Sequence, residues 1–316
     1  MKLIIQIPCY NEEETLPVTL ASLPKHIEGI DEIETLLVDD GSTDSSIEVA
    51  KQMGVDHIVK LPNHKGLART FTSGLQQCIK LDADIIVNTD ADNQYNSDDI
   101  EKLLEPILKK QADIVIGTRP IERIKHFSIF KKILQKVGSF MIRLLSSTGT
   151  EDAPSGFRAF TKEAALMINV FDNYTYTLET IIQSKSKGLK IVSVPIRVND
   201  SYRKSKLVKN MFDYIRKSAV TMIRMFIIYR PFRFFAIIGV AMFFIGIIIW
   251  LRFLYFYFVD SGGGHIQSLI FAAILMIIGF QTVMLGVIAD LLAINRKLIE
   301  DVQIRVKKLE NHSYNQ

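Results

Sequence analysis

Apolar and polar positions along the first two thirds of the chain come in alternating blocks. "KLIIQIP" (Lys2–Pro8) is an apolar run of strand length, and a helical pattern follows from Glu12 to Leu23, opening after Asn11. "IETLLVDDGS" (Ile33–Ser42) predicts a second strand that runs into a polar turn, with its helix over Asp44–Met53. "HIVKLP" (His57–Pro62) predicts a third strand and Gly66–Lys80 a third helix. "ADIIVNTDAD" (Ala83–Asp92) reads as a fourth strand, Ser97–Lys110 as a helix capped by Ser97, and "ADIVIGTR" (Ala112–Arg119) as a fifth strand. Strands alternating with helices predict a mostly parallel sheet covered on both faces, so residues 1–199 are of the α/β class.

Two stretches break this rhythm. Ile121–Leu145 sets Phe127, Phe130, Leu134, Val137 and Met141 among Lys131, Lys132, Lys136 and Arg143. That pattern suits an interfacial helix or an ordinary surface helix equally. Ser205–Tyr229 repeats Val208, Met211, Phe212, Ile215, Ala219, Met222 and Phe226 at helical spacing, with basic residues between them. A basic amphipathic helix directly before a long apolar run is expected to lie on an anionic membrane surface.

Two apolar runs follow, Phe232–Val259 and Ile266–Ala293, each longer than the roughly 20 residues that cross a bilayer. Arg216, Lys217, Arg224, Arg230 and Arg233 precede the first run; Arg296, Lys297, Arg305, Lys307 and Lys308 follow the second. The connecting Asp260–His265 has no Lys or Arg, so both flanks are expected on the cytoplasmic side of a multi-pass cell-membrane protein. The division is then residues 1–203 as a cytoplasmic domain, 204–230 as a juxtamembrane helix, 231–294 as two spans and 295–316 as a cytoplasmic tail. Met1–Tyr10 lacks the apolar core of a cleavable signal.

Composition agrees with this division. The 316 residues are 48% hydrophobic, with a net charge of +4 concentrated near the apolar runs. The two cysteines, Cys9 and Cys78, fit a reduced compartment and suggest neither a disulfide framework nor a zinc site. No G-x-G-x-x-G follows the first strand, and neither G-x-x-x-x-G-K-[ST] nor G-x-S-x-G occurs. These absences argue against a dinucleotide site, a P-loop and a hydrolase elbow. No feature points to nucleic acid.

The chemistry gathers at the strand ends: "PCYNEEE" (Pro8–Glu14), "VDDGSTD" (Val38–Asp44) and "DADNQ" (Asp90–Gln94). In a parallel sheet these ends share one edge, where open α/β sheets bind ligands. Asp90 and Asp92, spaced i, i+2, point to one side of an extended stretch and can share a cation; the other reading is a turn of capping residues. Converging carboxylates repel unless a cation sits among them, and hard oxygen donors suit Mg²⁺ or Mn²⁺.

"IPCYNEEETL", "VDDGSTD", "NTDADNQ" and "DAPSGFRAF" (Asp152–Phe160) together resemble inverting family 2 glycosyltransferases of the GT-A fold. The resemblance is to their polyprenyl-phosphate group, typified by dolichol-phosphate mannose synthase and bacterial undecaprenyl-phosphate enzymes, and it covers nearly all of residues 1–229. It implies a Rossmann-like GT-A catalytic domain followed by amphipathic helices and a two-helix transmembrane hairpin. It further implies that Pro8, Tyr10 and Glu12 hold the donor's base and ribose, and that Asp39 and Asp40 contact the nucleoside. Asp90, Asp92 and Gln94 correspond to the metal-binding D-x-D-x-Q, with Asp90 also near the nucleotide. Arg119 and Arg158 stand where the family uses arginines for diphosphate and acceptor phosphate. "YRKSKL" offers Arg203, Ser205 and Lys206 as phosphate ligands. Here Arg203 replaces the glycine of the R-x-x-G-x-S-K loop in many relatives, which makes Arg197 a rival to Arg203.

Asp92, Arg158 and Asp152 are the expected catalytic residues, Asp152 either orienting the acceptor, acting as a base or capping the turn before Pro154. The expected activity is transfer of one sugar from a UDP- or GDP-linked donor to a polyprenyl phosphate, with inversion and a divalent metal. The alternatives are another lipid acceptor such as diacylglycerol, or an inactive membrane scaffold. No Q-x-x-R-W occurs, which argues against a processive synthase. Relatives with paired spans imply a possible homotetramer.

Overall fold

A computed structural model describes residues 1–120, 152–170, 176–199, 220, 223–224, 226–259 and 265–314. The chain divides into two compact units, one of residues 1–218 with 304–316 and one of residues 219–303. In the first, seven strands form one sheet: β1 (Lys2–Cys9), β2 (Glu32–Asp39), β3 (His57–Lys60), β4 (Ile85–Asn88), β5 (Ile114–Thr118), β6 (Arg158–Thr161) and β7 (Ile191–Pro195). Their order is β3-β2-β1-β4-β6-β5-β7. Every pairing is parallel except those of β6, which runs antiparallel between β4 and β5.

The five strands expected from the apolar runs are present, and the sheet is mostly parallel. β6 and β7 were not expected. β6 is only the four residues "RAFT", too short to carry a period of its own, and its place depends on partners distant in sequence.

Among the described residues, six helices cover the sheet: α1 (Leu16–Ser22), α2 (Ser46–Gln52), α3 (Leu67–Lys80), α4 (Ile100–Leu108), α5 (Lys162–Met167) and α6 (Thr177–Ser186). α1 begins later than its apolar pattern suggested, because Thr15 and Leu16 donate their N–H groups to the Glu12 carbonyl and residues 12–15 form a turn. Ser97 is not the cap of the helix after β4. Asn96 is, its side chain accepting the Asp98 N–H at 3.0 Å, and a 3₁₀ turn over Ser97–Asp99 leads into α4.

Alternation along β1 feeds two cores. Leu3, Ile5 and Ile7 pack with Leu16, Leu103 and Leu104, while Ile4 packs on the other face with Phe71, Leu75 and Phe160. α3 lies close to the sheet at Gly74, where a Cβ would meet Gln6 Oε1 at 2.5 Å. Cys9 and Cys78 are free and buried, and burial pushes the Cys9 thiol up to about 12, so it stays protonated at neutral pH.

The second unit holds α7 (Pro231–Val259) and most of α8 (Ile266–Tyr314), two helices long and apolar enough to cross a membrane. Their outward faces are apolar: Ile237, Phe244, Ile248, Ile277, Phe280 and Leu285 are all exposed, which water would not favour. The helices meet through glycines. A Cβ on Gly239 would lie 2.6 Å from the Gly279 carbonyl oxygen, and one on Gly246 would lie 3.0 Å from that of Ala272. Small residues permit such close backbone approach between membrane helices. α8 continues to Tyr314, so residues 295–314 of the segment expected as a tail are helical. The stretch 121–145 and most of 205–229 lie outside the described residues.

Candidate functional site

Because β1, β2, β4, β5 and β7 run the same way, their carboxyl ends share one edge of the sheet. β6 runs against them, so its first residue, Arg158, pairs with Asn88 at the end of β4. The segment 152–157 that leads into β6 therefore reaches that same edge.

At the ends of β1 and β2 the chain is held by its own short polar side chains. Pro8 is within β1, paired with Val38. Asn11, with φ of 54°, accepts the Thr43 N–H at 2.8 Å, and Glu12 donates its N–H to Ser46 Oγ at 2.9 Å. Asp39 is fully buried and accepts the Gly41 and Ser42 amides, each at 3.2 Å. Asp40 accepts the Lys65 and Gly66 amides at 2.8 Å each and pairs with His64 Nδ1 at 2.8 Å. His64 in turn stacks on Tyr10, ring centroids 4.0 Å apart. Both rings are exposed, so Asp40 fixes an aromatic step at the edge. His64 was absent from the expected site, although it stands in the polar stretch that follows the third apolar run.

The end of β4 carries the acidic pair. Asp92 Oδ1 accepts the Gln94 N–H at 3.1 Å, which curls the DADNQ turn, and Asn93 adopts φ of 55°. The Asp90 carboxyl is pushed up to about 7, first by burial and then by the neighbouring Asp92 charge; Arg119 opposes the shift, and Glu12 adds to it. Asp90 thus senses groups from the tips of β1, β4 and β5 at once. Among the described residues, no group of three or more His, Cys, Asp or Glu is arranged to hold a metal ion. Two carboxylates and the Gln94 carboxamide are still an all-oxygen set. They fit a hard cation whose remaining positions go to water and substrate phosphate.

Arg119 is turned to Asp152, with Nε 2.7 Å from Oδ2 and Nη2 3.0 Å from Oδ1. Asp152 is fully buried, and both its oxygens take part in this fork. Nearby in the chain, the buried hydroxyls of Thr118 and Ser155 have no hydrogen-bond partner among the described residues.

Arg158 does not reach a ligand position. It is fully buried, Nε donating to the Ser155 carbonyl at 2.8 Å, Nη2 to the Ala153 carbonyl at 2.7 Å and Nη1 to Thr180. Burial pulls its guanidinium down to about 10, with Tyr176, Tyr95 and Asp152 offsetting part of that; it also lies 5.9 Å from the Tyr176 ring centroid. Its work is to tie down the 152–157 segment.

Arg197 is likewise engaged, with Nη2 2.8 Å from Asp99 Oδ1. Asn199, two residues on, binds the DADNQ turn: its N–H meets the Gln94 carbonyl at 2.9 Å and its amide the Asn93 carbonyl at 3.1 Å. Arg203, Ser205 and Lys206 lie outside the described residues. Tyr95, Gly156 and Asn199 were not anticipated, since nothing in their local sequence distinguishes them from turn residues.

Comparison with known proteins fits this arrangement. The model of glycosyl transferase family 2 matches residues 4–166. Over 216 residues the chain is 32% identical to the UDP-N-acetylglucosamine–dolichyl-phosphate N-acetylglucosaminyltransferase of Methanococcus voltae, covering 60% of this chain and 83% of that protein. It is 27% identical over 206 residues to an undecaprenyl-phosphate mannosyltransferase of Micrococcus luteus, covering 62% and 83%. Among solved structures, glucosyl-3-phosphoglycerate synthase from Mycobacterium tuberculosis, in complex with Mn²⁺, UDP and glucosyl-3-phosphoglycerate, superposes with a TM-score of 0.55. At 19% identity, over 72% of this chain and 78% of that one, the likeness is one of fold, a GT-A-like mixed sheet.

Proposed function

Since the chain belongs to glycosyl transferase family 2 and is a glycosyltransferase, we propose that it transfers one sugar from a nucleotide-diphosphate sugar to a polyprenyl phosphate, with inversion. The observation that carries this reading is the single sheet edge to which the tips of β1, β2, β4 and β5 bring Glu12, Asp39, Asp40, Asp90, Asp92 and Arg119. Such an edge suits a polyanionic donor that brings a cation with it. The acceptor class is supported by the polyprenyl-phosphate enzymes named above. It is supported too by two helices apolar enough to keep the enzyme where such lipids are.

In this reading Tyr10, Glu12, Asp39 and Asp40 shape the nucleoside end, with Pro8 fixing the turn that presents them. Asp39 and Asp40 act mainly through the backbone amides they hold, and His64 joins Tyr10 as a contact surface. Asp90, Asp92 and the Gln94 carboxamide would hold Mg²⁺ or Mn²⁺. When bound, the ion neutralises charge on the departing nucleoside diphosphate. A lipid phosphate oxygen attacks the anomeric carbon from the face opposite the leaving group. The new carbon–oxygen bond forms as the bond to the diphosphate breaks. The phosphate is already ionised at neutral pH, so no strong base is needed. Arg119, steered by Asp152, stabilises phosphate charge, and Arg203, Ser205 and Lys206 are proposed to bind the acceptor phosphate. Arg158 enters as a positioning residue for the 152–157 segment.

We assign residues 1–203 to catalysis, 204–230 to the membrane surface and 231–294 to the spans, with the domain and both ends on the cytoplasmic side. The test is purified protein with radiolabelled UDP- and GDP-sugars, undecaprenyl phosphate and Mn²⁺. Label should enter the lipid phase and be released by mild acid, as a sugar phosphate ester is. Acid-stable label, or none from any donor, overturns the reading.

A further inference from the structure

Tyr95 stands one residue beyond Gln94 and is 3% exposed, its ring stacked on Phe157 at a centroid distance of 5.0 Å. Its hydroxyl oxygen accepts the Gly156 N–H at 3.0 Å. That bond fixes where the Gly156 backbone runs, and Gly156 is pressed against the Asp90 carboxylate: a Cβ there would lie 3.1 Å from Asp90 Oδ1 and 2.9 Å from the Tyr176 hydroxyl. The Tyr95 backbone is anchored as well, bridging to Val198 and accepting the Asn199 amide at 3.2 Å. Tyr95 therefore joins three segments: the DADNQ turn it follows, the 152–157 lead-in to β6 through its ring and hydroxyl, and the strand end beyond β7 through its backbone.

We propose that Tyr95 is a positioning residue, holding the Gly156 segment against the Asp90 carboxylate and so limiting the directions in which that carboxylate meets the divalent cation. A carboxylate walled on one side by a fixed backbone segment has fewer orientations open to it. Without the Tyr95 hydroxyl the tie to Gly156 is lost and the wall can shift. Because the 152–157 segment also carries the Asp152 that grips Arg119, the same hydroxyl links the two halves of the site. The inference rests on the cation site of the proposed function. Partners that orient metal ligands in this way typically account for about 10–100-fold in metal affinity or activity.

The test is Tyr95→Phe in the full-length protein in detergent, with Mn²⁺ affinity read from the EPR signal of free Mn²⁺ in the presence of UDP. The Kd should rise by about 10–100-fold, and added Mn²⁺ should restore much of the transfer rate, which a mere packing defect would not permit. Phe157→Leu, which removes the stacked ring but keeps the hydroxyl, should lower Tm and leave the Mn²⁺ Kd unchanged. If Tyr95→Phe does not fold, Gly156→Ala displaces Asp90 from the other side and should raise the Kd alike. Wild-type affinity in a folded Tyr95→Phe or Gly156→Ala protein, alongside lost binding in Asp92→Asn, overturns the inference and leaves the cation site standing. Absence of Mn²⁺ binding in the wild type overturns both.

Discussion

Arg119 grips Asp152 through two nearly parallel hydrogen bonds, at 2.7 Å and 3.0 Å, with the carboxylate fully buried and the guanidinium 10% exposed. A fork of this kind, sealed from water, is costly to break from one side. Arg119→Ala removes a charged, two-point partner of a buried carboxylate and should destabilise the protein by about 3–5 kcal/mol. The Arg119→Ala/Asp152→Ala double variant should recover part of that loss, because the carboxylate that the fork neutralised is gone as well. Urea midpoints of the single and double variants measure both effects; a double variant less stable than Arg119→Ala refutes the coupling.

Asp90 predicts a pH-dependent response to metal. Its carboxyl is raised from 3.8 to about 7, so the folded state holds the proton more tightly than the unfolded chain. The sign follows: in metal-free protein this stabilisation is complete below about pH 3.8 and is lost as pH rises through about 7. A divalent ion displaces the proton, so Mn²⁺ should raise Tm more at pH 8 than at pH 6. Melting curves with and without Mn²⁺ at the two pH values give the difference, and Asp90→Asn should abolish it.

Arg158 predicts a stability phenotype without a binding phenotype. Arg158→Lys cannot reach Ser155, Ala153 and Thr180 together, and should lower Tm and kcat. The KM for polyprenyl phosphate should stay near the wild-type value, since no guanidinium donor faces solvent. A large rise in that KM with Tm unchanged would return Arg158 to the phosphate.

The glycine contacts of α7 and α8 make the hairpin sensitive to volume. Gly279→Leu forces its Cβ against the Gly239 carbonyl oxygen, which would be only 2.7 Å away. Overpacking of this kind costs about 1–3 kcal/mol or more. Lower Tm in detergent, with Ala273→Leu at an exposed position of α8 as the control, checks the effect.

Much of this site could be read from the sequence because parallel sheets put their chemistry where apolar runs stop. The carboxylates at 39, 40, 90 and 92 sit at or just beyond the end of such a run, and the strand ends that carry them share one edge. What a chain cannot display locally is which way a polar side chain turns. Arg158 opens a strand flanked on both sides, so its side chain goes into the protein and finds carbonyls there. Asp39 also turns inward, to amides two and three residues on, a choice set by loop closure. Tyr95 and Asn199 acquire their roles only through partners far along the chain. The pairing of β6 has the same long-range origin.

β6 has a consequence for how the molecule is made. β5 pairs only with β6 and β7, both encoded after it, whereas β1 to β4 pair among themselves as soon as they are synthesised. During translation the first four strands can collapse around α1, α2 and α3 while β5 waits with both edges bare. The sheet closes only when β6 slides between β4 and β5, and that same insertion delivers the lead-in carrying Asp152 and Gly156 to Asp90. A ribosome-bound chain that stops short of Arg158 therefore contains every carboxylate of the DADNQ turn yet has no assembled site.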